Sequence, residues 1–250
     1  AARSHTGALA SDLSAIRAAA VAAGIELVSS PKELVDLAQA LLAVQRPRGK
    51  RIALAADGGG HTVVAADLAA AAGLELPSLS EATRARLAEA LPPTATLTNP
   101  VDFAGGGEQD ISSFAKVARA LLESGEVDAV LFTGYFGGYA HYSEEFRRRE
   151  VESAEGMAQA AAESGLPLLA HTMYWHSKPA EMLRERGVPV FREVEAAVHV
   201  AGRLADETPE ALLGVSELPG PAASLDGETG YFEARAVLAA LVASARAARA

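Results

Sequence analysis

The sequence contains no cysteine among its 250 residues. This absence excludes a disulfide scaffold, a thiol nucleophile and a zinc site with thiolate ligands. Long apolar runs are also missing, since no stretch reaches the ~18 residues that a membrane-spanning helix needs, and the first residues show no signal-peptide pattern. We therefore expect a cytoplasmic protein without a membrane-spanning segment.

Positive charge is scarce, because 22 lysines and arginines stand against 32 acidic residues and give a formal charge of −10. Binding to duplex nucleic acid needs clustered basic side chains that release counterions, so this balance argues against a nucleic-acid partner. The longest basic run, residues 147–149, is preceded by Glu144 and Glu145 and followed by Glu150. This mixture of signs predicts a helix face in contact with solvent.

Between residues 46 and 207 the chain alternates between two hydrophobic periods. Short, nearly continuous apolar runs predict strands that are covered on both faces. These runs lie at residues 52–56, 74–79, 129–136, 168–172 and 188–191. Helical stripes separate them, and the clearest stripe spans residues 111–122. Strands that alternate with helices predict right-handed crossovers and an α/β fold, a flavodoxin-like, doubly wound, five-stranded parallel sheet.

A shorter region, residues 1–45, precedes this predicted domain. We predict a helix over residues 11–23, a strand over residues 25–28 and a second helix over about residues 32–42. The run Ser30-Pro31-Lys32-Glu33 has the pattern of a capping box with proline in the first turn. Because one strand with two helices cannot bury its own faces, we expect this region to be the end of another domain.

The last region, residues 208–250, opens with a loop rich in proline, glycine and serine. It closes with an alanine-rich stretch that favours a helix. The sequence therefore predicts three parts: residues 1–45 as the end of one domain, residues 46–207 as a complete α/β domain, and residues 208–250 as a linker with the start of a further domain.

Glycines cluster directly after two of the predicted strands. Asp57-Gly58-Gly59-Gly60 follows the first strand, Gly137-Gly138-Tyr139 follows the strand over 129–136, and Gly105-Gly106-Gly107 lies between them. Ligands of open parallel sheets bind at the carboxyl ends of strands, where glycine lets backbone N–H groups converge on an anion at a helix N-terminus. Together the clusters predict a shared concave site for a small anionic ligand or a partner's loop. Tight turns, whose glycines only relieve steric strain, are the alternative.

Six histidines are present, and none has the spacing of a helical metal site. His171 and His176 lie at a predicted strand end, where they line a pocket or, as the alternative, form hydrogen bonds to the backbone. His199 lies on a predicted helix and favours a structural role. His5 lies in a loop of small residues, where an imidazole can act as a nucleophile. An irrelevant chain terminus is the alternative there.

The loop around His5, Ser4-His5-Thr6-Gly7-Ala8-Leu9-Ala10, resembles the phosphohistidine loop of the nucleoside-diphosphate-forming acyl-CoA synthetases, relatives of succinyl-CoA synthetase. The resemblance implies that His5 accepts a phosphoryl group from an acyl phosphate and passes it to a nucleoside diphosphate. The turn at residues 57–60 is similar to the family's Asn-Gly-x-Gly turn, with aspartate in place of asparagine. Residues 136–138 resemble a turn near the substrate carboxylate, and residues 99–102 resemble a segment of fused acyl-CoA synthetases.

The same resemblance implies partners. The chain is similar to the C-terminal part of the ligase region, and residues 226–238 resemble the start of an ATP-grasp domain. We therefore expect no cofactor on this chain alone, and we expect CoA and a nucleoside di- or triphosphate with Mg²⁺ on partner CoA-binding and ATP-grasp domains. Phosphate or acyl phosphate is the anion expected at Asp57, Gly58, Gly59, Gly60, Gly137, Gly138 and Tyr139.

Two functions remain open at this point. The first is part of an acid–thiol ligase, an acyl-CoA synthetase that works through a phosphohistidine, with the isolated chain inactive. The second is a non-catalytic module that binds acyl-CoA or phosphate and regulates another domain, or a truncated ligase-like remnant. Phosphorylation of His5 distinguishes the first function from the second.

Overall fold

The computed structural model describes residues 25–206, together with Ala20 and Ala23. Val28–Asp206 forms one compact unit. His5, most of the predicted helix over residues 11–23 and the tail over residues 208–250 lie outside the described residues. No helix in the described part of the chain is long and apolar enough to cross a membrane.

Helices and strands alternate along this unit, as predicted. The helices are α1 (Pro31–Ala43), α2 (Gly59–Ala71), α3 (Glu81–Ala90), α4 (Gly106–Gln109), α5 (Ser113–Leu122), α6 (Glu144–Ser164), α7 (Lys178–Glu185) and α8 (Val194–Ala205). The strands are β1 (Ile52–Ala56), β2 (Val101–Asp102), β3 (Ala129–Thr133), β4 (Leu168–His171) and β5 (Val190–Phe191). A short 3-10 turn follows β3.

The five strands form one sheet in the order β2-β1-β3-β4-β5, and every neighbouring pair is parallel. This order is that of a flavodoxin-like, doubly wound sheet, so the predicted fold class is confirmed. The order reverses between β1 and β3, which pair in register from Ile52 with Ala129 to Ala56 with Thr133. A ligand of such a sheet binds beyond the carboxyl ends of these two strands.

Apolar side chains cover both faces of the sheet, which is why β1 and β3 are nearly continuous in apolar residues. Successive side chains of a strand point to opposite faces, so Ile52 and Leu54 join one core while Ala53 and Ala55 join the other. The first core contains residues of α1, α2 and α8, and the second contains residues of α3, α5, α6 and α7. Phe114 is buried in the second core, within 6.4 Å of four other aromatic ring centroids.

The predicted strand over residues 74–79 is wrong. Only one bridge forms there, from Arg51 to Glu75, and the edge strand is β2 instead. The side chain of Asn99 bonds to β1 where a longer edge strand would lie, because Oδ1 accepts from the Leu54 N–H (3.0 Å) and Nδ2 donates to the Ile52 carbonyl (2.8 Å). An amide side chain therefore replaces part of the backbone ladder, and the apolar pattern carries no sign of this.

The predicted strand over residues 25–28 is also wrong, because these residues have no strand conformation. The helix predicted over residues 32–42 is confirmed as α1, and its cap forms through the Ser30 hydroxyl, which accepts from the Glu33 N–H (3.1 Å). The Glu33 carboxylate bonds one residue earlier than a capping box requires, to the Ser29 N–H (2.6 Å). It also contacts His199 and Arg203 of α8 and so ties α1 to α8.

Glu33→Ala is expected to lower the free energy of unfolding by about 1–2 kcal/mol, because it removes a cap and a partly buried ion pair. Hydrogen bonds from Ser29, and then the contact with His199, lower the pKa of Glu33 to about 2. The stability that the Glu33 carboxylate contributes is therefore present above pH 4.5, the pKa of this carboxyl in the unfolded chain. It is lost as the pH falls towards 2. Urea unfolding across this range tests it, with Glu89→Ala on the exposed surface of α3 as the control.

Candidate functional site

The turn after β1 begins α2 and contains four of the predicted site residues. Gly58 has φ of 135°, a conformation that only glycine adopts readily, and its N–H donates to Asp102 Oδ1 (3.1 Å). A Cβ on Gly59 would lie 2.9 Å from Asp102 Oδ2, whereas a Cβ on Gly60 would meet open space. Among the described residues, no acceptor binds the N–H of Gly59 or Gly60. An anion can therefore reach these two donors from the open side, over Gly60.

Asp57 directs its carboxylate into the protein. The side chain is buried and accepts hydrogen bonds from the N–H groups of Gly105 (2.6 Å) and Gly107 (2.9 Å) and from the Tyr139 hydroxyl. Three donors compensate the cost of burying this charge. Asp57 and Tyr139, both predicted site residues, thus bind each other, and the cluster at residues 105–107 donates to a side chain of the protein.

Tyr139 is a permanent proton donor in this arrangement. Burial, and then its hydrogen bond to Asp57, raise the pKa of the Tyr139 phenol well above its ordinary value of 10. The hydroxyl stays protonated at any pH at which the protein functions, and it fixes the loop after β3 to the end of β1.

The second glycine turn, Gly137 and Gly138, also has its amides satisfied from within the protein. The Gly137 N–H donates to Glu150 Oε1 (2.5 Å), and the Gly138 N–H donates to the Tyr135 carbonyl (2.8 Å). A Cβ on Gly138 would lie 2.5 Å from the Tyr174 ring. This geometry favours the steric interpretation of these two glycines, namely close packing of a turn against aromatic rings.

Arg147 and Arg148 are exposed, as predicted for the basic run, but Glu150, which follows the run, is fully buried. Each residue of an α-helix is rotated by about 100° from the one before it, so Glu150 turns inward although the preceding arginines reach exposed acidic partners. Its carboxylate accepts from the N–H groups of Gly137 and Ala140 (2.7 Å), with the Tyr139 N–H nearby. Burial outweighs these donors and raises the pKa of Glu150 to about 7.

His171 and His61 complete the polar groups at this edge of the sheet. His171 is buried at the end of β4, and its Nδ1 lies 2.7 Å from the Thr133 hydroxyl. Burial, and then the neighbouring His61, lower the pKa of His171 below its ordinary value. His61 lies in the first turn of α2, with its ring centroid 6.3 Å from that of His171. Within residues 25–206, no cluster of three or more side chains is suited to hold a metal ion.

Sequence reasoning assigned no role to three residues that shape this edge: His61, Asp102 and Glu150. The position of His61 directly after three glycines is a signal that points to it, whereas Asp102 ends the short strand β2, which the apolar pattern does not reveal. Glu150 has no such signal, because the charge pattern around it is that of an exposed helix.

Comparison with known proteins gives the relatives of this chain. No protein-family model matches it. The chain is 30% identical over 211 residues to the α subunit of ADP-forming acetate–CoA ligase II of Pyrococcus furiosus, an alignment that covers 83% of this chain and 44% of that subunit. It is 36% identical over 131 residues to ADP-forming acetate–CoA ligase I of Archaeoglobus fulgidus, covering 52% of this chain and 18% of that protein.

The fold has solved counterparts as well. The crystal structure of a protein from Pyrococcus horikoshii OT3 matches with a TM-score of 0.68 and 27% identity, covering 81% of this chain and 45% of that one. The chain thus spans less than half the length of the relatives that it matches. Over the aligned part, sequence and fold agree, and the homologues of this chain are ADP-forming acyl-CoA synthetases, of which it covers a part.

Proposed function

We propose that this chain is part of an acid–thiol ligase in which His5 carries a phosphoryl group between an acyl phosphate and a nucleoside diphosphate. The observation that carries the proposal is the open first turn of α2, where the N–H groups of Gly59 and Gly60 have no acceptor among the described residues. A helix N-terminus supplies about half a positive charge and unpaired donors, which suit a phosphate. The relation to acetate–CoA ligases supports the same chemistry.

The proposed reaction has two transfers. A neutral imidazole nitrogen of His5 attacks the phosphorus of the acyl phosphate, the bond from phosphorus to the acyl oxygen breaks, and the carboxylate leaves with the electron pair while the imidazole releases a proton. The bond from nitrogen to phosphorus then breaks as the phosphoryl group passes to the terminal oxygen of the nucleoside diphosphate, and the ring takes a proton back, which restores the neutral imidazole. An unperturbed histidine pKa of ~6.5 leaves most of the imidazole neutral at pH 7. Such transfers depend chiefly on positioning and on stabilising negative charge.

CoA and the nucleotide with Mg²⁺ belong, in this proposal, to the CoA-binding and ATP-grasp domains that act with the chain. CoA would carry the acyl group as a thioester and be released as the free thiol, and the metal would neutralise the charge of the nucleotide phosphates. The contribution of the described residues is to hold the phosphate or the acyl phosphate by backbone N–H groups at the Gly58–Gly60 turn, with Asp57 and Tyr139 setting the turn's position.

Labelling of His5 tests the proposal. Incubation of the chain, together with its CoA-binding and ATP-grasp partners, with acetyl phosphate labelled in its phosphoryl group is expected to give an acid-labile, alkali-stable label on this chain that His5→Ala abolishes. His199→Gln, at the surface of α8, is the control and is expected to keep the label. Label that persists in His5→Ala contradicts the proposal. Phosphate binding without any label favours the non-catalytic module instead.

Gly60→Val tests the anion site separately. The new side chain enters open space, so the melting temperature is expected to stay within about 2 °C of that of the wild type. The valine side chain covers the backbone N–H group at position 60, so titration calorimetry with inorganic phosphate is expected to show at least about tenfold weaker binding. Ala70→Val, on an exposed position of the same helix, is the matched control. Gly59→Val is unsuitable, because its Cβ would displace Asp102. Equal phosphate affinity in Gly60→Val and the wild type would place the anion elsewhere.

A further inference from the structure

A second cleft, of about 380 Å³, lies at the carboxyl ends of β4 and β5. Residues 172–177, His141 and Arg192 line it, and none of the predicted phosphate-binding residues does. Its volume falls in the range of small-molecule sites, about 300–1,000 Å³. The cleft is therefore separate from the glycine turn and large enough for a ligand of its own.

Positive charge dominates this cleft although the protein is acidic overall. The guanidinium carbons of Arg184 and Arg192 lie 4.5 and 5.1 Å from the centroid of the Trp175 ring. Neither arginine forms an ion pair with a carboxylate in the described part of the chain, whereas Arg186, beside them in sequence, pairs with Glu155. No acidic residue lines the cleft. Arg192 is exposed there, so its charge is available to an anion.

Flat rings form the walls. Tyr174 and Trp175 are half-buried, and the His141 ring lies 5.4 Å from the Tyr174 ring, centroid to centroid. Met173 is 59% exposed beside them. Aromatic faces bind planar groups by stacking, and a guanidinium over an aromatic ring binds a carboxylate or phosphate in the same plane.

The walls are held in place before any ligand binds. The Thr172 hydroxyl donates to the Phe136 carbonyl and accepts from the Tyr174 N–H (2.9 Å). Arg184 Nη1 donates to the Trp175 carbonyl (3.1 Å). A preformed cleft loses little conformational entropy on binding, so these bonds favour affinity.

We propose that this cleft binds a planar aromatic anion, with its ring against Trp175 and Tyr174 and its anionic group on Arg192. The anionic group is a carboxylate on an aromatic acid or a phosphate on a nucleoside, and both share the chemistry that the cleft recognises. This binding requires neither His5 nor the Gly58–Gly60 turn, so it stands or falls independently of the phosphoryl transfer.

Fluorescence of Trp175, the only tryptophan of the chain, reports on this cleft directly. The full chain is titrated with benzoate and with AMP at constant ionic strength, and with acetate and inorganic phosphate as anions without a ring. Free N-acetyltryptophanamide corrects for collisional quenching. We expect a saturable change with benzoate or AMP, and at least about tenfold weaker binding of the two anions that lack a ring. The planar anion that binds more tightly identifies the source of the anionic group.

Arg192→Gln is expected to weaken that binding at least about tenfold, since it removes the charged donor pair. Arg84→Gln, an exposed arginine on α3, is the matched control and is expected to bind as the wild type does. Arg192→Lys keeps the charge without the planar fork and is expected to give an intermediate affinity, which guards against a folding defect in the glutamine variant. Three results would overturn the proposal: no saturable response to either planar anion, equal binding of acetate or phosphate, or unchanged binding in Arg192→Gln.

Discussion

Replacing Glu150 with alanine is expected to lower the free energy of unfolding by about 3–5 kcal/mol. The variant leaves the buried N–H groups of Gly137 and Ala140 without an acceptor and opens a void under the loop after β3. Each buried donor without a partner costs about 1–3 kcal/mol, and the void adds to this. No buried side-chain nitrogen or oxygen among the described residues lacks a hydrogen-bond partner. No unpaired buried side-chain acceptor is therefore at hand to replace the lost carboxylate.

Urea denaturation at pH 7, followed by circular dichroism, measures this effect. Glu152→Ala is the matched control on the same helix, because Glu152 is exposed and, within residues 25–206, forms an ion pair with Arg148 alone. Its unfolding free energy is expected to stay within about 0.5 kcal/mol of the wild type. A Glu150→Ala variant within about 1 kcal/mol of the wild type would show that the carboxylate does not hold the loop.

Glu150 also predicts a pH dependence with a definite sign. Its pKa is about 7 in the folded chain, against 4.5 for an ordinary glutamate, so the folded state keeps a proton that the unfolded state loses between these values. The part of the unfolding free energy that comes from this raised pKa is fully present below pH 4.5. It is lost as the pH rises to about 7, to a total of about 3 kcal/mol. The stability of the wild type relative to Glu150→Gln is expected to fall across this range. The lowered pKa of His171 acts in the opposite direction, but it is common to both proteins and cancels in the difference.

The second large effect is expected at Asp57. Asp57→Ala leaves the Gly105 and Gly107 N–H groups and the Tyr139 hydroxyl without an acceptor and is expected to cost about 3 kcal/mol. Asp57→Asn introduces the asparagine of the Asn-Gly-x-Gly turn that this turn resembles. It keeps one acceptor oxygen and is expected to lower the free energy of unfolding by about 1–2 kcal/mol. Asp67→Ala, exposed on α2, is the control, with an expected change within about 0.5 kcal/mol.

A double-mutant cycle separates the Asp57 contact with Tyr139 from its other two bonds. Tyr139→Phe is measured by thermal unfolding in the wild type and in Asp57→Ala. Because the hydroxyl binds only where the carboxylate is present, the two losses are expected to be less than additive by about 1 kcal/mol or more. Additivity within about 0.3 kcal/mol would mean that the phenol and the carboxylate act independently.

Much of the fold follows from the apolar runs. β1, β3 and β4 are buried on both faces, and their runs are predicted within a few residues; β3 ends at Thr133, before residue 136. The edge strand β2 was not predictable, because it has two residues and the Asn99 side chain supplies the remaining bonds to β1. The run over residues 74–79, wrongly predicted as a strand, is apolar because Leu74 and Leu79 reach the two cores, not because it pairs with β1 as a strand.

The site, too, has a part that local sequence reveals and a part that only the tertiary fold brings together. The glycines at residues 58–60 stand out in the sequence as a run directly after a strand, and the positive φ of Gly58 accounts for one of them. The partners of Asp57 lie 48, 50 and 82 residues away, and no local pattern links them. Glu150 is a comparable case, since only the tertiary fold brings the amides of the preceding loop to it.

Asn99 has a consequence for how molecules of this protein meet one another. The outer strand of an open sheet offers unpaired backbone groups on which a strand from another molecule can nucleate aggregation. Here the Ile52 N–H is bound by the Glu75 carbonyl, and Asn99 occupies the Ile52 carbonyl and the Leu54 N–H. Where the two-residue strand β2 leaves β1 uncovered, these three backbone groups are thus already bonded and are closed to a strand from another molecule.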